Sequence, residues 1–216
     1  MISVFETALV EDGRIRLRER HLARLGASGG SPEQVAELDA ILTDLCARDD
    51  QPFVMRVDVA DEGLTVTTRA PRSTAPVRLP THTGYDPELD IRRIKLADRS
   101  WAEAIEAEHG GDEVLLVSAA GLVGETTRAG VLVLRVDGTL VVPRLRGILA
   151  SVTRSWAVDV TGAVEADVPL AELLAARGAA VLTAGRGVIP IAAVDDTPLA
   201  RDPLFDALHT TWRGLP

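Results

Sequence analysis

The chain has 216 residues, 46% of them hydrophobic but only 3% aromatic, with a formal net charge of −9. That length allows one large or two small domains around a substantial core of Leu, Val, Ile and Ala. The 23 basic residues are interleaved with 32 acidic ones, which argues against a nucleic-acid partner. No apolar run reaches the roughly 18 residues that span a bilayer.

The first residues, Met1-Ile2-Ser3-Val4-Phe5, show no signal-peptide pattern. A single cysteine, Cys46, sits in a helical apolar pattern as a buried structural thiol. A soluble, cytoplasmic protein is expected. Residues 3–10 and 14–17 read as a hairpin around Asp12-Gly13. Residues 18–27 carry Leu22 and Leu25 at helical spacing and stop at Gly29-Gly30. Ser31-Pro32-Glu33-Gln34 is a capping-box start, followed by Val35, Leu38, Ile41, Leu42 and Leu45 on one helix face. Strands are expected at 53–60 and 64–69, joined at Asp61-Glu62-Gly63.

These elements make residues 1–75 a small α/β-type layer. The Pro-rich stretch that follows, with Pro71, Pro76, Pro80 and Pro87, predicts a linker over 76–90. Residues 91–216 read as a larger, strand-rich α+β domain. Its helices are expected near 101–109, 152–158, 168–177 and 203–212, and its strands near 113–118, 131–136, 139–142, 180–183 and 187–194. The fold class is therefore α+β.

Lys95 is the only lysine among the 23 Lys and Arg residues. A GC-rich genome explains the arginines but not the exception. Arginine replaces lysine as a surface cation, yet its guanidinium stays protonated and is a poor nucleophile. Schiff-base chemistry requires an amine whose pKa can be depressed. Glu125 ends a short strand inside Gly124-Glu125-Thr126-Thr127-Arg128. Val152-Thr153-Arg154 opens a helix, where free N–H groups and the helix dipole favour a phosphate. Arg24, three residues after His21 on one helix face, could aim a guanidinium at the same anion. Pyridoxal phosphate asks for this set: a lysine, an acid against the pyridine nitrogen and an anion site. Each residue also has a plainer reading, with Glu125 a turn acid, Arg24 a surface charge, Thr153 a helix-start residue and Thr7 a strand residue. His21, His82, His109 and His209 lack metal-ligand spacing, so no metal is expected.

Six segments carry a resemblance. They are Phe5-Glu6-Thr7-Ala8, His21-Leu22-Ala23-Arg24-Leu25, Lys95 with Arg99, Glu125 to Ala129, Ile148 to Arg154, and Gly187-Val188-Ile189-Pro190-Ile191. In this order and spacing they resemble the class IV aminotransferases, the fold-type IV pyridoxal phosphate enzymes. That group includes branched-chain and D-amino acid aminotransferases and 4-amino-4-deoxychorismate lyase. The resemblance implies a D-amino acid aminotransferase-like fold, pyridoxal 5'-phosphate as cofactor, a small-molecule substrate and a homodimer. It implies that Lys95 holds the cofactor as a Schiff base and shuttles protons, and that Glu125 pairs with the ring nitrogen. Arg24, Val152 and Thr153 would hold the phosphate, Leu149 would support the ring, and Ala184-Gly185 would close the phosphate site.

The segments around Glu125 and Phe5 look most like the lyase branch, in which the residue matching Thr7 lies near the cofactor. The leading expectation is thus 4-amino-4-deoxychorismate lyase, making 4-aminobenzoate and pyruvate for folate synthesis. A branched-chain or D-amino acid aminotransferase is the second, and a degenerate, non-catalytic homologue the third. Departures from the family pattern at Gly130, Ser151 and Ala184-Gly185, with a shortened N-terminus, favour the third, and retention of Lys95 opposes it; Asp98 departs as well. Arg92, Arg93 and Arg128 flank the catalytic segments and are weak candidates for substrate binding.

Overall fold

The computed structural model describes residues 3–48 and 51–216. Strand β1 (Val4–Glu11) turns through Asp12 and Gly13, both at positive φ, into the short β2 (Arg14–Ile15). Helix α1 (Arg18–Ala27) follows, then α2 (Pro32–Cys46). The start of α2 is secured as its sequence suggests. Ser31 Oγ accepts the Gln34 N–H and Gln34 Oε1 accepts the Ser31 N–H. Strands β3 (Phe53–Ala60) and β4 (Gly63–Arg69) complete a wholly antiparallel sheet in the order β2-β1-β3-β4. The alternate residues Met55, Val57 and Val59 of β3 are buried with Leu25, Leu38 and Leu42 of the two helices. Each such fully buried aliphatic side chain contributes about 1.5–3 kcal/mol, so this small unit has its own core.

The stretch expected as a linker supplies two strands instead. Strand β5 (Val77–Leu79) runs parallel to a strand of the large sheet, with Leu79 1% exposed. Strand β6 (Thr81–Tyr85) pairs in parallel with β7 (Leu115–Ser118). Pro80 sits between them, and the corner is tied by Asp195, which accepts hydrogen bonds from the Thr81 N–H (2.8 Å) and hydroxyl (2.9 Å). Proline is tolerated here because it falls between two strands rather than inside one.

A 3-10 turn (Asp90–Arg93) and α3 (Ser100–Glu108) precede β7, which pairs antiparallel with β8 (Val123–Thr126). Strands β9 (Gly130–Leu134) and β10 (Leu140–Pro143) lead to α4 (Val152–Thr161), β11 (Val164–Ala166) and α5 (Leu170–Leu174). The chain closes with β12 (Gly178–Thr183), β13 (Gly187–Val194), β14 (Thr197–Pro198) and α6 (Leu204–Arg213). The large sheet has the order β11-β10-β9-β12-β13-β14, and β5 is added alongside β13.

Helix α5 is half the expected length because its flanks are used elsewhere. The Val168 carbonyl accepts the Val123 N–H at 2.8 Å, and the Arg177 N–H goes to the Leu134 carbonyl at 2.9 Å.

One face of the large sheet packs on β7, β8 and α5, and the other packs on α4 and α6. Leu9 and Val54 of the small sheet join that second cluster. The Leu9 N–H also donates to the Ala184 carbonyl at 3.0 Å, stitching β1 to the end of β12. Residues 95–97 lie antiparallel to the start of β1. The Phe5 N–H donates to the Lys95 carbonyl (3.0 Å), and the Ala97 N–H to the Ser3 carbonyl (2.9 Å). Among the described residues, no helix is long and apolar enough to cross a membrane.

Candidate active site

A cleft with about 730 Å³ of empty space lies where β1, α1, the Lys95 segment, β8 and the start of α4 converge. Lys95, Arg24, Glu125, Leu149, Val152, Thr153 and Ala184 all line it. Gly185 does not. It lines a second, adjoining cleft of about 980 Å³, together with Thr7, Lys95 and Ala184.

Lys95 is placed by its backbone pairing with β1, and its Nζ lies 4.6 Å from the centre of the Phe5 ring. The Arg56 guanidinium lies 4.0 Å from the same ring's centre. Burial of the amine, helped by the nearby Arg24 cation, lowers the Lys95 pKa to about 7, while Glu6 and Glu125 pull the other way. A lysine in that state is largely deprotonated just above neutral pH and is a competent nucleophile and base.

Glu125 stands on β8, every residue of which is buried. Its carboxylate accepts the Leu149 N–H at 3.1 Å. Burial outweighs that bond and the surrounding cations, raising the pKa to about 7. The preceding glycine makes room for this arrangement. A Cβ at Gly124 would sit 2.8 Å from a Tyr85 ring carbon, and the Tyr85 hydroxyl donates to the Arg146 carbonyl. Burial, with Glu125 next, raises the Tyr85 pKa to about 12, so this hydroxyl stays a donor.

The anion end of the cleft is the start of α4. Ser151 caps this helix by accepting the Arg154 N–H at 3.2 Å. The N–H groups of Val152 and Thr153, in the first turn, have no acceptor within the helix. Thr153 is completely buried, and its hydroxyl has no hydrogen-bond partner. A buried orphan hydroxyl beside free N–H groups at a helix N-terminus suits a phosphate. The residues present therefore fit pyridoxal phosphate at both ends of the cleft.

Arg24 is tied down more tightly than its sequence position suggests. Its Nε donates to Glu6 Oε1 at 2.8 Å, and its Nη2 donates to Glu6 Oε2. His21 Nδ1 lies 2.6 Å from the same Oε2. Burial alone would raise the Glu6 pKa, but Arg24 and His21 together hold it at about 2. The His21 pKa is lowered, chiefly by complete burial. Glu6 thus fixes Arg24 at the wall of the cleft, leaving Nη1 outside the pair. Sequence reasoning did not single out Glu6; its only signal was the Phe5-Glu6-Thr7 segment.

The weak substrate candidates separate. Arg128 lines both clefts but makes a bidentate pair with Glu106 (2.9 and 2.6 Å). Arg92 stacks 4.2 Å from the centre of the Trp101 ring. Arg93 is exposed and lines neither cleft. Gly130 also lines the first cleft, and a Cβ there would meet only ordinary contacts of 3.6 Å or more. Outside both clefts, His82, Glu108 and His109 bring possible ligand atoms within 4.8 Å of one another, a proximity that their sequence spacing does not reveal.

Comparison with known proteins decides the family. The amino-transferase class IV family model matches residues 3–194. The chain belongs to the class IV aminotransferase family. The enzymes of this family depend on pyridoxal phosphate.

Among solved structures, a provisionally assigned amino-acid aminotransferase from Mesorhizobium loti is 29% identical, with a TM-score of 0.77. That match covers 90% of this chain and 100% of the other. A hypothetical aminotransferase from Mycobacterium tuberculosis in its PLP-bound form is 20% identical, with a TM-score of 0.85 and coverage of 98% and 88%. A provisionally assigned 4-amino-4-deoxychorismate lyase from Legionella pneumophila is 19% identical, with a TM-score of 0.80 and coverage of 98% and 90%. These likenesses bear out the expected fold. No curated protein matches.

Proposed function

We propose that this chain is a pyridoxal phosphate-dependent lyase that converts 4-amino-4-deoxychorismate to 4-aminobenzoate and pyruvate. The observation that carries its cofactor chemistry is the convergence, in one cleft, of a lysine with a pKa of about 7, a buried acid and an orphan hydroxyl at a helix N-terminus. The choice of lyase rests on the resemblance of the Phe5-Glu6-Thr7 and Glu125 to Ala129 segments to that branch. Lys95 would be the cofactor's covalent anchor, Glu125 would pair with its ring nitrogen, and Arg24, Val152 and Thr153 would hold its phosphate. When bound, pyridoxal phosphate supplies the electron sink that acidifies a C–H bond beside a substrate amine.

With a pKa of about 7 the free Lys95 amine is substantially unprotonated near neutral pH, so it would take the ring C4 proton. The electron pair left at C4 closes the aromatic ring as enolpyruvate departs with its oxygen. Protonation of that fragment gives pyruvate. Thr7, which shares the second cleft with Lys95, positions the departing group. Glu125 is well suited to a cationic ring partner, because a positive charge beside a carboxylate with a pKa near 7 drives it to the ionised form.

Aminotransfer is the second reading, favoured by the M. loti likeness at 29% identity. It uses the same proton transfer but requires a keto acid. The test is direct. Purified protein is reconstituted with pyridoxal phosphate and given aminodeoxychorismate with no keto acid present. Release of pyruvate supports the lyase. Glutamate formed from 2-oxoglutarate and an amino donor, without pyruvate release, replaces it with the aminotransferase. Failure to form a borohydride-fixed adduct at Lys95 rejects both.

A further inference from the structure

The second cleft holds more positive charge than the chemistry at Lys95 needs. Six arginines line it, in a chain whose net charge is −9. Four of them are accounted for. Arg56 closes on Asp58 (2.8 Å), Arg99 donates to the Thr127 carbonyl (2.6 Å), Arg128 pairs with Glu106, and Arg186 pairs with Glu113 (2.6 Å).

Arg69 and Arg72 differ. Arg69 Nη1 reaches only the neighbouring Ala70 carbonyl, at 3.3 Å. Arg72 makes no hydrogen bond or ion pair among the described residues. Both guanidinium pKa values are lowered, first by desolvation and then by cationic neighbours. For Arg69 these are Arg186 and Arg128, and for Arg72 they are Arg128, Arg69 and Arg186, with Glu113 pulling the other way. Three separate segments of the chain converge here: the end of β4 with the stretch after it, the turn between β8 and β9, and the turn between β12 and β13. Arg69, Arg72, Arg128 and Arg186 thus line one cleft whose carboxylates are Glu103 and Glu106, with Glu113 reaching Arg186 from beside it. Arg69 and Arg72 are exposed, so water screens their mutual repulsion, but together they form a cationic wall with no carboxylate bonded to it among the described residues, which suits an anion. Lys95 lines the same cleft, so the anion belongs to the molecule that reacts there.

We infer that Arg69 and Arg72 are specificity-determining residues that bind the second carboxylate, remote from the reacting amine, of a dicarboxylate substrate. The inference rests on the reading of Lys95 as the reactive centre. Planar guanidinium groups bind a carboxylate in bidentate fashion. A monocarboxylate leaves the pair unsatisfied, so the cleft discriminates by charge count rather than by shape.

The experiment uses non-reacting probes. Glutarate, a dicarboxylate, and butyrate, a monocarboxylate, are titrated by calorimetry into wild type, the Arg69→Gln/Arg72→Gln double variant and Arg72→Lys. Each is measured with and without pyridoxal phosphate. Wild type is expected to bind glutarate at least tenfold more tightly than butyrate. The double variant should lose that preference, with butyrate affinity changed less than twofold, and Arg72→Lys should keep part of it. Cofactor content and the borohydride-fixed adduct at Lys95 should be the same in all three. Equal weakening of both probes, an unchanged preference in the double variant, or no preference in wild type overturns the inference. Loss of cofactor binding in the double variant also overturns it, because the arginines would then serve the phosphate. If no protein forms the Lys95 adduct, the functional reading fails. The cofactor-free titrations still decide whether the arginines select a dicarboxylate.

Discussion

Replacing Glu125 with glutamine should make the cofactor-free protein more stable, and only above a defined pH. The carboxyl has a folded-state pKa of about 7 against an ordinary value of 4.5, and burial is the cause. Between those values the folded state binds more protons than the unfolded state, so stability falls as pH rises from about 4.5 to about 7. Above that window the penalty is complete. At about 1.36 kcal/mol per pKa unit it amounts to roughly 3 kcal/mol.

Glutamine keeps the shape and can still accept the Leu149 N–H, yet it never ionises. The advantage of Glu125→Gln should therefore be near zero at pH 4.5 and reach about 3 kcal/mol at pH 8. For a chain of this length that is roughly 5–10 °C in melting temperature. Thermal unfolding of both proteins across this pH range, without cofactor, is the assay. A glutamine variant that is less stable at pH 8, or whose advantage does not depend on pH, would refute the account of Glu125 as a carboxylate held against its solvation. With pyridoxal phosphate added the order should reverse, since only the carboxylate can match a protonated ring nitrogen.

Lys95→Arg should fold normally by circular dichroism yet form no borohydride-fixed adduct. In wild type the rate of adduct formation should climb through a midpoint near pH 7, as the amine loses its proton. Thr153→Val removes a buried hydroxyl that has no partner, so the cofactor-free protein should be at least as stable as wild type. Its pyridoxal phosphate affinity should fall about tenfold, the worth of one hydrogen bond to a charged group, read by equilibrium titration. Gly124→Ala drives a methyl group to 2.8 Å from the Tyr85 ring, and denaturant unfolding should show a loss of about 1–3 kcal/mol. The arginine pair of the second cleft supplies the fifth prediction, through the loss of preference for glutarate over butyrate.

Much of this molecule is legible along the chain because its signals are local. The capping box at Ser31 and the apolar face from Val35 to Leu45 announce α2 within a few residues. Lys95, Glu125 and Thr153 stand out because each has a chemical reason to be the residue it is, and the fold gathers them into one cleft. What escapes the sequence is pairing at long range. Strand β5 is only three residues long, with Leu79 buried and Val77 half-buried against the core, and its partner β13 lies more than a hundred residues away, so a proline-rich stretch reads as a linker. The role of Glu6 depends on two side chains from α1, and nothing in Phe5-Glu6-Thr7 says that a carboxylate there will be buried. Arg69 and Arg72 look like two more surface arginines in an arginine-rich chain. Their significance lies in neighbours contributed by two distant turns.

Lys95, the lysine proposed to react, hangs from β1. Its carbonyl accepts the Phe5 N–H, and two residues later the Ala97 N–H returns to Ser3. The Leu96 N–H turns back to the Ile94 carbonyl and Arg56 reaches the Ala97 carbonyl, so pairing with β1 is one of the ties that keep the buried amine in place. Its low pKa belongs to an assembled edge rather than to Lys95 alone. Peeling residues 3–5 away would let water reach the amine, restore its proton and end its nucleophilicity in a single event. Local opening of the amino terminus and loss of reactivity should then share one free energy, readable as hydrogen exchange at the Phe5 and Ala97 amides. On the proposed reading β1 is in this sense part of the catalytic apparatus, beyond the side chains of Glu6 and Thr7 that it supplies.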